Sequence, residues 1–193
     1  MTDKIELIFA TGNQHKVDEI CSLLSEKYAL FSLKDIKFEE ELPETQETIE
    51  GNSLQKAETL YRKINKNCFS EDTGLEIEAL NGRPGVRSAR YAGDSEQNIE
   101  KVLAEMANQQ NRTAQFKTVI TYFFDKKYVQ YTGICKGQII HSKIGENGFG
   151  YDPIFIPDGS DKTFAEMTMT EKNKFSHRKK AVAQFISFLE NNH

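Results

Sequence analysis

Cysteine is too scarce to organise this chain. Cys21, Cys68 and Cys135 are odd in number, widely spaced and without a C-x-x-C pair, which leaves neither a disulfide framework nor a zinc site and points to free thiols in a reducing compartment. The histidines, His15, His141, His177 and His193, are equally scattered and suggest no metal cluster. Long apolar runs are missing: the early stretch Leu7-Ile8-Phe9-Ala10 is far too short for a membrane span or a signal-peptide core, and Asp3 and Glu6 precede it. An excess of positive charge is missing too. The formal net charge of -4 argues against nucleic acid held by a broad basic face. No repeat at solenoid periods and no Pro/Gly/Ser-rich linker marks a boundary. The expectation is a cytoplasmic protein that partners neither membrane nor nucleic acid, in which basic residues matter only where they cluster.

What is present suffices for a core. With 193 residues, 38% hydrophobic and 28% charged, the chain can bury enough apolar surface to fold as one globular domain over 1–193. Residues 4–10 read as a buried strand. After Thr11-Gly12-Asn13, Val17, Ile20, Cys21 and Leu24 recur at helical spacing, so the opening unit is strand, tight turn, helix. A short strand over 29–33 leads into an acidic segment, 39–50, and Leu54, Ala57, Tyr61 and Ile64 mark a second helix. Short strands over 68–71 and 75–80 bracket an acidic turn and end at Asn81-Gly82. Ile99, Val102, Leu103 and Met106 mark a third helix. Residues 114–124 and 128–136, rich in Tyr, Phe, Val, Ile and Thr, read as a hairpin joined by Asp125-Lys126-Lys127. A last helix over 176–191 turns Val182, Phe185, Ile186 and Leu189 to one face. The mixture predicts a mixed-sheet α/β or α+β fold.

Four segments are candidates for chemistry. Thr11-Gly12-Asn13, with Lys16 one turn on, ends a strand at a helix N-terminus, where free backbone N–H groups can bind phosphate; an ordinary Asn-capped helix is the competing explanation. Glu71-Asp72-Thr73-Gly74 reads as a solvated acidic turn, but Asp72 with one glutamate of the 39–50 segment would be enough carboxylate for magnesium, which takes its other ligands from water and phosphate. Ser176 resembles an N-cap and is followed by His177, Arg178, Lys179 and Lys180. Cations there oppose the helix dipole by roughly 0.3–1 kcal/mol each, so something anionic should offset them. Gly148-Phe149-Gly150-Tyr151-Asp152-Pro153 sets aromatics between permissive glycines, as a base-stacking loop would.

Taken in order with Leu42-Pro43-Glu44, Asp72-Thr73-Gly74-Leu75, Pro84-Gly85, Ser88-Ala89-Arg90-Tyr91, Thr163-Phe164-Ala165-Glu166-Met167 and Glu171-Lys172-Asn173, these segments resemble the inosine triphosphate pyrophosphatase (Ham1-like) family over nearly the whole chain. The resemblance implies an elongated mixed α/β sheet flanked by helices, two lobes with a nucleotide cleft between them, and a homodimer. It implies hydrolysis of ITP, dITP and XTP to the monophosphate and pyrophosphate, clearing deaminated purines from the nucleotide pool. By the same resemblance Thr11, Gly12, Asn13 and Lys16 hold the triphosphate, Glu44 and Asp72 bind Mg²⁺, Asp72 is the proton acceptor, and Lys56 is a catalytic lysine near the phosphates. Thr73, Phe149, Gly150, Tyr151, Asp152, Lys172, His177 and Arg178 match further substrate-binding positions. Two departures stand out. Thr73 replaces a serine common in bacterial members, and Gly51 replaces an acid, which makes Glu50 an alternative to Glu44 at the metal.

Arg178 or His177 is expected to donate to the 6-oxo group that adenine lacks. Truncating Arg178 is expected to leave stability level or slightly raised, by relieving the dipole. The rival readings are a hydrolase for other modified nucleotides, as in Maf-like proteins, and a non-catalytic nucleotide-binding regulator.

Overall fold

A computed structural model describes residues 4–192. Strand β1 (Ile5–Phe9) pairs in parallel with β2 (Tyr28–Ser32), Ile5 opposite Tyr28 and Phe9 opposite Ser32, and α1 (Gln14–Cys21) lies between them in the chain. Asn13 caps α1, its side-chain oxygen accepting from the Lys16 backbone N–H. Helix α2 (Ile49–Ile64) starts at the Thr48 cap and stops at Asn65, whose left-handed backbone closes the last turn by donating to the Tyr61 carbonyl.

Strand β3 (Cys68–Ile77) corrects the sequence reading, since one ten-residue strand replaces two short strands and a turn. Glu71 and Asp72 lie inside it and are buried, because cationic side chains stand where solvent was expected. The reading of 75–80 as strand also ends early: residues Glu78–Leu80 form a 3-10 turn before the Asn81-Gly82 reversal. Strand β4 (Pro84–Gly85) pairs antiparallel with β3, and α3 (Ser95–Glu105) begins with a capping box of Asp94 and Gln97.

The hairpin is longer than its pattern suggested, with β5 (Thr113–Phe124) and β6 (Lys127–Ile139) flanking only Asp125 and Lys126. Both connecting residues have positive φ, 46° and 62°, the requirement of a two-residue turn whose twist matches its strands. Strand β7 (Phe155–Pro157), the single-turn helix α4 (Met169–Lys172) and α5 (His177–Asn192) complete the described chain. The sheet runs β2-β1-β3-β5-β6-β7, with β4 on β3. It mixes parallel and antiparallel pairs and is accompanied by helices, the expected mixed α/β fold.

The chain divides into two compact units, and β3, β5 and β6 contribute residues to both. The first takes residues 4–72, 119–132 and 178–192 of those described. Its main core is built on Leu7, Phe9, Ile20, Phe69, Ile120, Phe185 and Leu189, and Phe9 stacks on its sheet partner Phe69 with centroids 4.5 Å apart. The second unit takes residues 73–118 and 133–177 and is centred on Leu75, Ile77, Val102, Phe116, Phe155 and Phe164. Among the described residues no helix is long and apolar enough to cross a membrane.

Candidate active site

In the first unit, two lysines and an arginine converge on the acidic middle of β3. Lys56 lies on the buried face of α2, and its Nζ donates to Glu44 Oε1 at 2.6 Å, Asp72 Oδ1 at 3.0 Å and the Glu71 carbonyl at 3.0 Å. Two carboxylates therefore share one ammonium group. Burial alone would lower the Lys56 pKa, but the charges of Asp72 and Glu44 outweigh it and hold the ammonium above its ordinary value. Burial pushes the Asp72 carboxyl up, against the downward pull of Lys56 and Lys16. Lys16, one turn into α1, reaches the Glu71 carboxylate at 3.6 Å and the Glu71 carbonyl at 3.4 Å, and burial draws its pKa down despite Glu71.

Arg178 is only 1% exposed. Its Nε and one terminal nitrogen reach the two Glu71 carboxylate oxygens, both at 3.2 Å, and the other terminal nitrogen donates to Glu19 on α1. The anion required beside the basic start of α5 is thus a pair of internal carboxylates, which outweigh the desolvation of Arg178 and raise its pKa. The stability expectation for Arg178 is thereby reversed, because its removal would strand buried negative charge. Thr11, Gly12 and Asn13 form the β1-to-α1 turn, where the Asn13 backbone N–H donates to Thr11 Oγ1 at 3.1 Å. A Cβ placed on Gly12 would meet no chain atom within 4 Å. Gly12 therefore answers no internal packing demand.

The second unit holds the remaining positions. Asp152 Oδ2 accepts from the Phe149 backbone N–H at 2.9 Å and from Lys172 Nζ at 2.7 Å, and this Asp152–Lys172 pair is buried. The Lys172 ammonium also stands 5.4 Å from the Phe149 ring centre and 5.3 Å from that of Phe164, within range of cation–π attraction. Gly148 has φ of +76°, and an added Cβ would collide with the Asp152 carboxylate. Glycine here serves both the turn and the approach of Asp152. Gly150 has φ of +60° in the same loop. Tyr151 is a core residue whose hydroxyl donates to the Ser88 carbonyl, 2.9 Å away, so it anchors the loop from beneath. His177 is buried, its ring stacked on Phe116 at 4.7 Å, and Thr73 Oγ1 shares a 2.5 Å hydrogen bond with Thr118.

Direct contacts join Lys16, Lys56 and Arg178 to Glu71 or Asp72, and Glu44 to Lys56, in the first unit, and Phe149 and Asp152 to Lys172 in the second. Thr11, Gly12, Asn13, Lys16, Glu44, Lys56, Asp72 and Arg178 fall in the first; Thr73, Phe149, Gly150, Tyr151, Asp152, Lys172 and His177 fall in the second. The profile of the Ham1 family matches residues 7–188.

The chain belongs to the Ham1 family.

This Ham1 family chain is 50% identical over 188 residues to the dITP/XTP pyrophosphatase of Flavobacterium johnsoniae, covering 96% of its own length and 98% of the relative's. It is 44% identical to that of Bacillus subtilis over 194 residues, 96% and 97% of the two chains. Among solved structures, the Staphylococcus aureus Ham1 protein matches with a TM-score of 0.88 at 38% identity, over 97% of this chain and 100% of that one. A HAM1 protein from Coxiella burnetii matches with a TM-score of 0.88 at 32% identity, over 97% and 99%.

The donor set of the Ham1 chain suits a hard divalent cation. Glu44 and Asp72 each present an oxygen within 3.0 Å of the same positive nitrogen, so a cation drawn to either carboxylate also feels the other. Among the described residues no group of three or more His, Cys, Asp or Glu side chains is arranged to hold a metal. Glu50 sits in the first turn of α2, where the helix dipole favours an acid. Sequence reasoning missed Glu19 altogether and passed over Glu71 as part of a turn. The one available signal was spacing, since Glu19 follows Lys16 by three residues and shares its helix face.

Proposed function

We propose that this Ham1 family protein hydrolyses noncanonical purine nucleoside triphosphates, ITP, dITP and XTP, to the monophosphate and pyrophosphate, acting as one catalytic domain of 193 residues, a cytoplasmic homodimer that requires Mg²⁺. The observation that carries the reading is the convergence of Glu44 and Asp72 on Lys56, in a chain whose relatives are dITP/XTP pyrophosphatases.

The substrate is a polyanion, and residues of the first unit answer its charge. The Lys16 and Lys56 ammonium groups and the N-terminus of α1 attract phosphate, with Thr11, Gly12 and Asn13 lining that terminus. The open space at Gly12 suits close approach by a ligand. Mg²⁺ held by Glu44 and Asp72, when bound, would neutralise phosphate charge and lower the pKa of water. Asp72 orients the attacking water and accepts its proton, and the Mg²⁺ it holds would do much of the activation by making that water more acidic. Residues of the second unit suit the base. Phe149 offers a ring for stacking, fixed by Asp152 and Lys172, while His177 of the same unit donates to the 6-oxo group. An unpaired buried donor facing the adenine 6-amino group would cost about 1–3 kcal/mol, a rejection of ATP by roughly 5- to 150-fold.

The test is pyrophosphate release from a panel of ITP, dITP, XTP, ATP, dUTP and a methylated pyrimidine triphosphate, with and without Mg²⁺, alongside light scattering for the dimer. Asp72→Asn nearly conserves shape within β3 and is expected to lower turnover by about 100-fold or more while the protein still melts cooperatively. Turnover within about threefold of wild type, ~0.65 kcal/mol, removes Asp72 from the reaction. Preference for dUTP or the methylated pyrimidine would favour the Maf-like reading. Binding without pyrophosphate release would favour a regulator.

A further inference from the structure

Glu44 lies in a stretch, residues 41–46, with neither helix nor strand to hold its backbone, yet its carboxylate stands 2.6 Å from Lys56. Something outside that stretch must fix it, and the first two turns of α2 supply it. Gln55 grips Thr45 twice: its Oε1 accepts from the Thr45 backbone N–H at 2.9 Å and its Nε2 donates to Thr45 Oγ1 at 2.8 Å. One turn earlier, Asn52 Oδ1 accepts from the Gln46 backbone N–H at 2.8 Å. Gly51 makes room for that approach, because a Cβ on it would lie 2.7 Å from the Gln46 Cβ and 3.0 Å from Thr48 Oγ1. Thus the two residues following Glu44 are held by three positions on the helix that also carries Lys56.

We propose that Gln55, with Asn52 and Gly51, forms a positioning clamp that presents the Glu44 carboxylate to the divalent cation. This rests on the reading of Glu44 as a metal ligand. It also assigns a purpose to the glycine at position 51: the loop lies against α2 where a side chain would stand. A flexible loop would have to order its backbone each time the cation bound, whereas the clamp orders it in advance. None of the three residues touches the reacting atoms. Their effect passes through Glu44.

The experiment measures Mn²⁺ affinity of the full chain without nucleotide, from the free-ion signal in electron paramagnetic resonance, and the Mg²⁺ concentration for half-maximal pyrophosphate release. Gln55→Ala is expected to weaken Mn²⁺ binding by about tenfold, the scale on which outer partners tune metal sites, and to raise the Mg²⁺ requirement in parallel. Turnover at saturating Mg²⁺ should stay within about twofold of wild type. Gln55→Glu keeps an oxygen to accept from the Thr45 N–H and its hydroxyl, so it should bind Mn²⁺ at least as tightly as wild type. A purely structural role would lower the melting temperature of Gln55→Ala and leave Mn²⁺ affinity unmoved below the melt, which would overturn the proposal. Gly51→Ala, which displaces Gln46 from the other side, decides the matter in the same way if Gln55→Ala is insoluble. Glu44→Gln separates the two levels: if it too leaves Mn²⁺ affinity unchanged, the reading of Glu44 fails, whereas a loss seen only in Glu44→Gln defeats the clamp alone.

Discussion

Arg178 carries its charge into a site almost closed to water and meets two carboxylates there, Glu71 from β3 and Glu19 from α1. Removing one member of such a cluster costs more than the cluster contributes, because the remaining charges stay buried without compensation. Arg178→Ala is therefore expected to lower unfolding free energy by about 3–5 kcal/mol in urea denaturation. Arg178→Lys should recover only part of that loss, since one ammonium cannot reproduce planar contacts to two carboxylates. A change below about 0.5 kcal/mol, the range of an ordinary surface substitution, would refute the burial argument. Selectivity is a separate quantity. The ratio of kcat/KM for ITP to that for ATP, measured on the folded fraction, shows whether Arg178 also reads the base.

At the scale of elements, the short helix α4 shows how local chemistry holds a segment too brief to be stable alone. Thr168 and Glu171 form a capping box in which the Glu171 carboxylate accepts from the Thr168 backbone N–H at 2.9 Å and from Lys162 Nζ at 3.0 Å. The Thr168 hydrogen bond first, and then Lys162, lower the Glu171 pKa from 4.5 to about 2. A carboxyl whose pKa is depressed by folding stabilises the fold above its unfolded pKa and loses that contribution as pH falls through the folded one. The window here runs from 4.5 down to about 2. An NMR titration should place the Glu171 carboxyl midpoint near 2, with amide protection across Met169–Lys172 declining in the same range. A midpoint near 4.5 would mean that the cap does not form in solution.

For the whole molecule, the three thiols are natural reporters. Cys21 is exposed, while Cys68 in the first unit and Cys135 in the second are buried, and burial pushes the Cys68 thiol up to about 12. At pH 8 a disulfide reagent should react rapidly with one thiol of the native protein and with three after full unfolding. Because β3, β5 and β6 contribute residues to both units, Cys68 and Cys135 are expected to become reactive over the same range of urea. Mass spectrometry of the labelled peptides checks this. Reactivity of one buried thiol at clearly lower urea would show that the units open separately.

Local rules determined much of this protein from sequence alone. The Asn13 cap follows from residue type at a strand end, the hairpin from two β-rich arms, and the four longer helices from apolar spacing, because each depends on neighbours within a few residues. The ordered motifs also revealed the family, since they are spread along the whole chain. Only the tertiary structure decided that β3 runs unbroken through Glu71 and Asp72, and which of the six glutamates between 39 and 50 stands on Lys56. It alone decided that Arg178 is countered from within. The partners of Arg178 lie 107 and 159 positions away, and the pairing energy that permits their burial exists only once the chain has brought them together. A pattern of polar residues read in isolation predicts solvent, and only the fold supplies the opposite charge that replaces it.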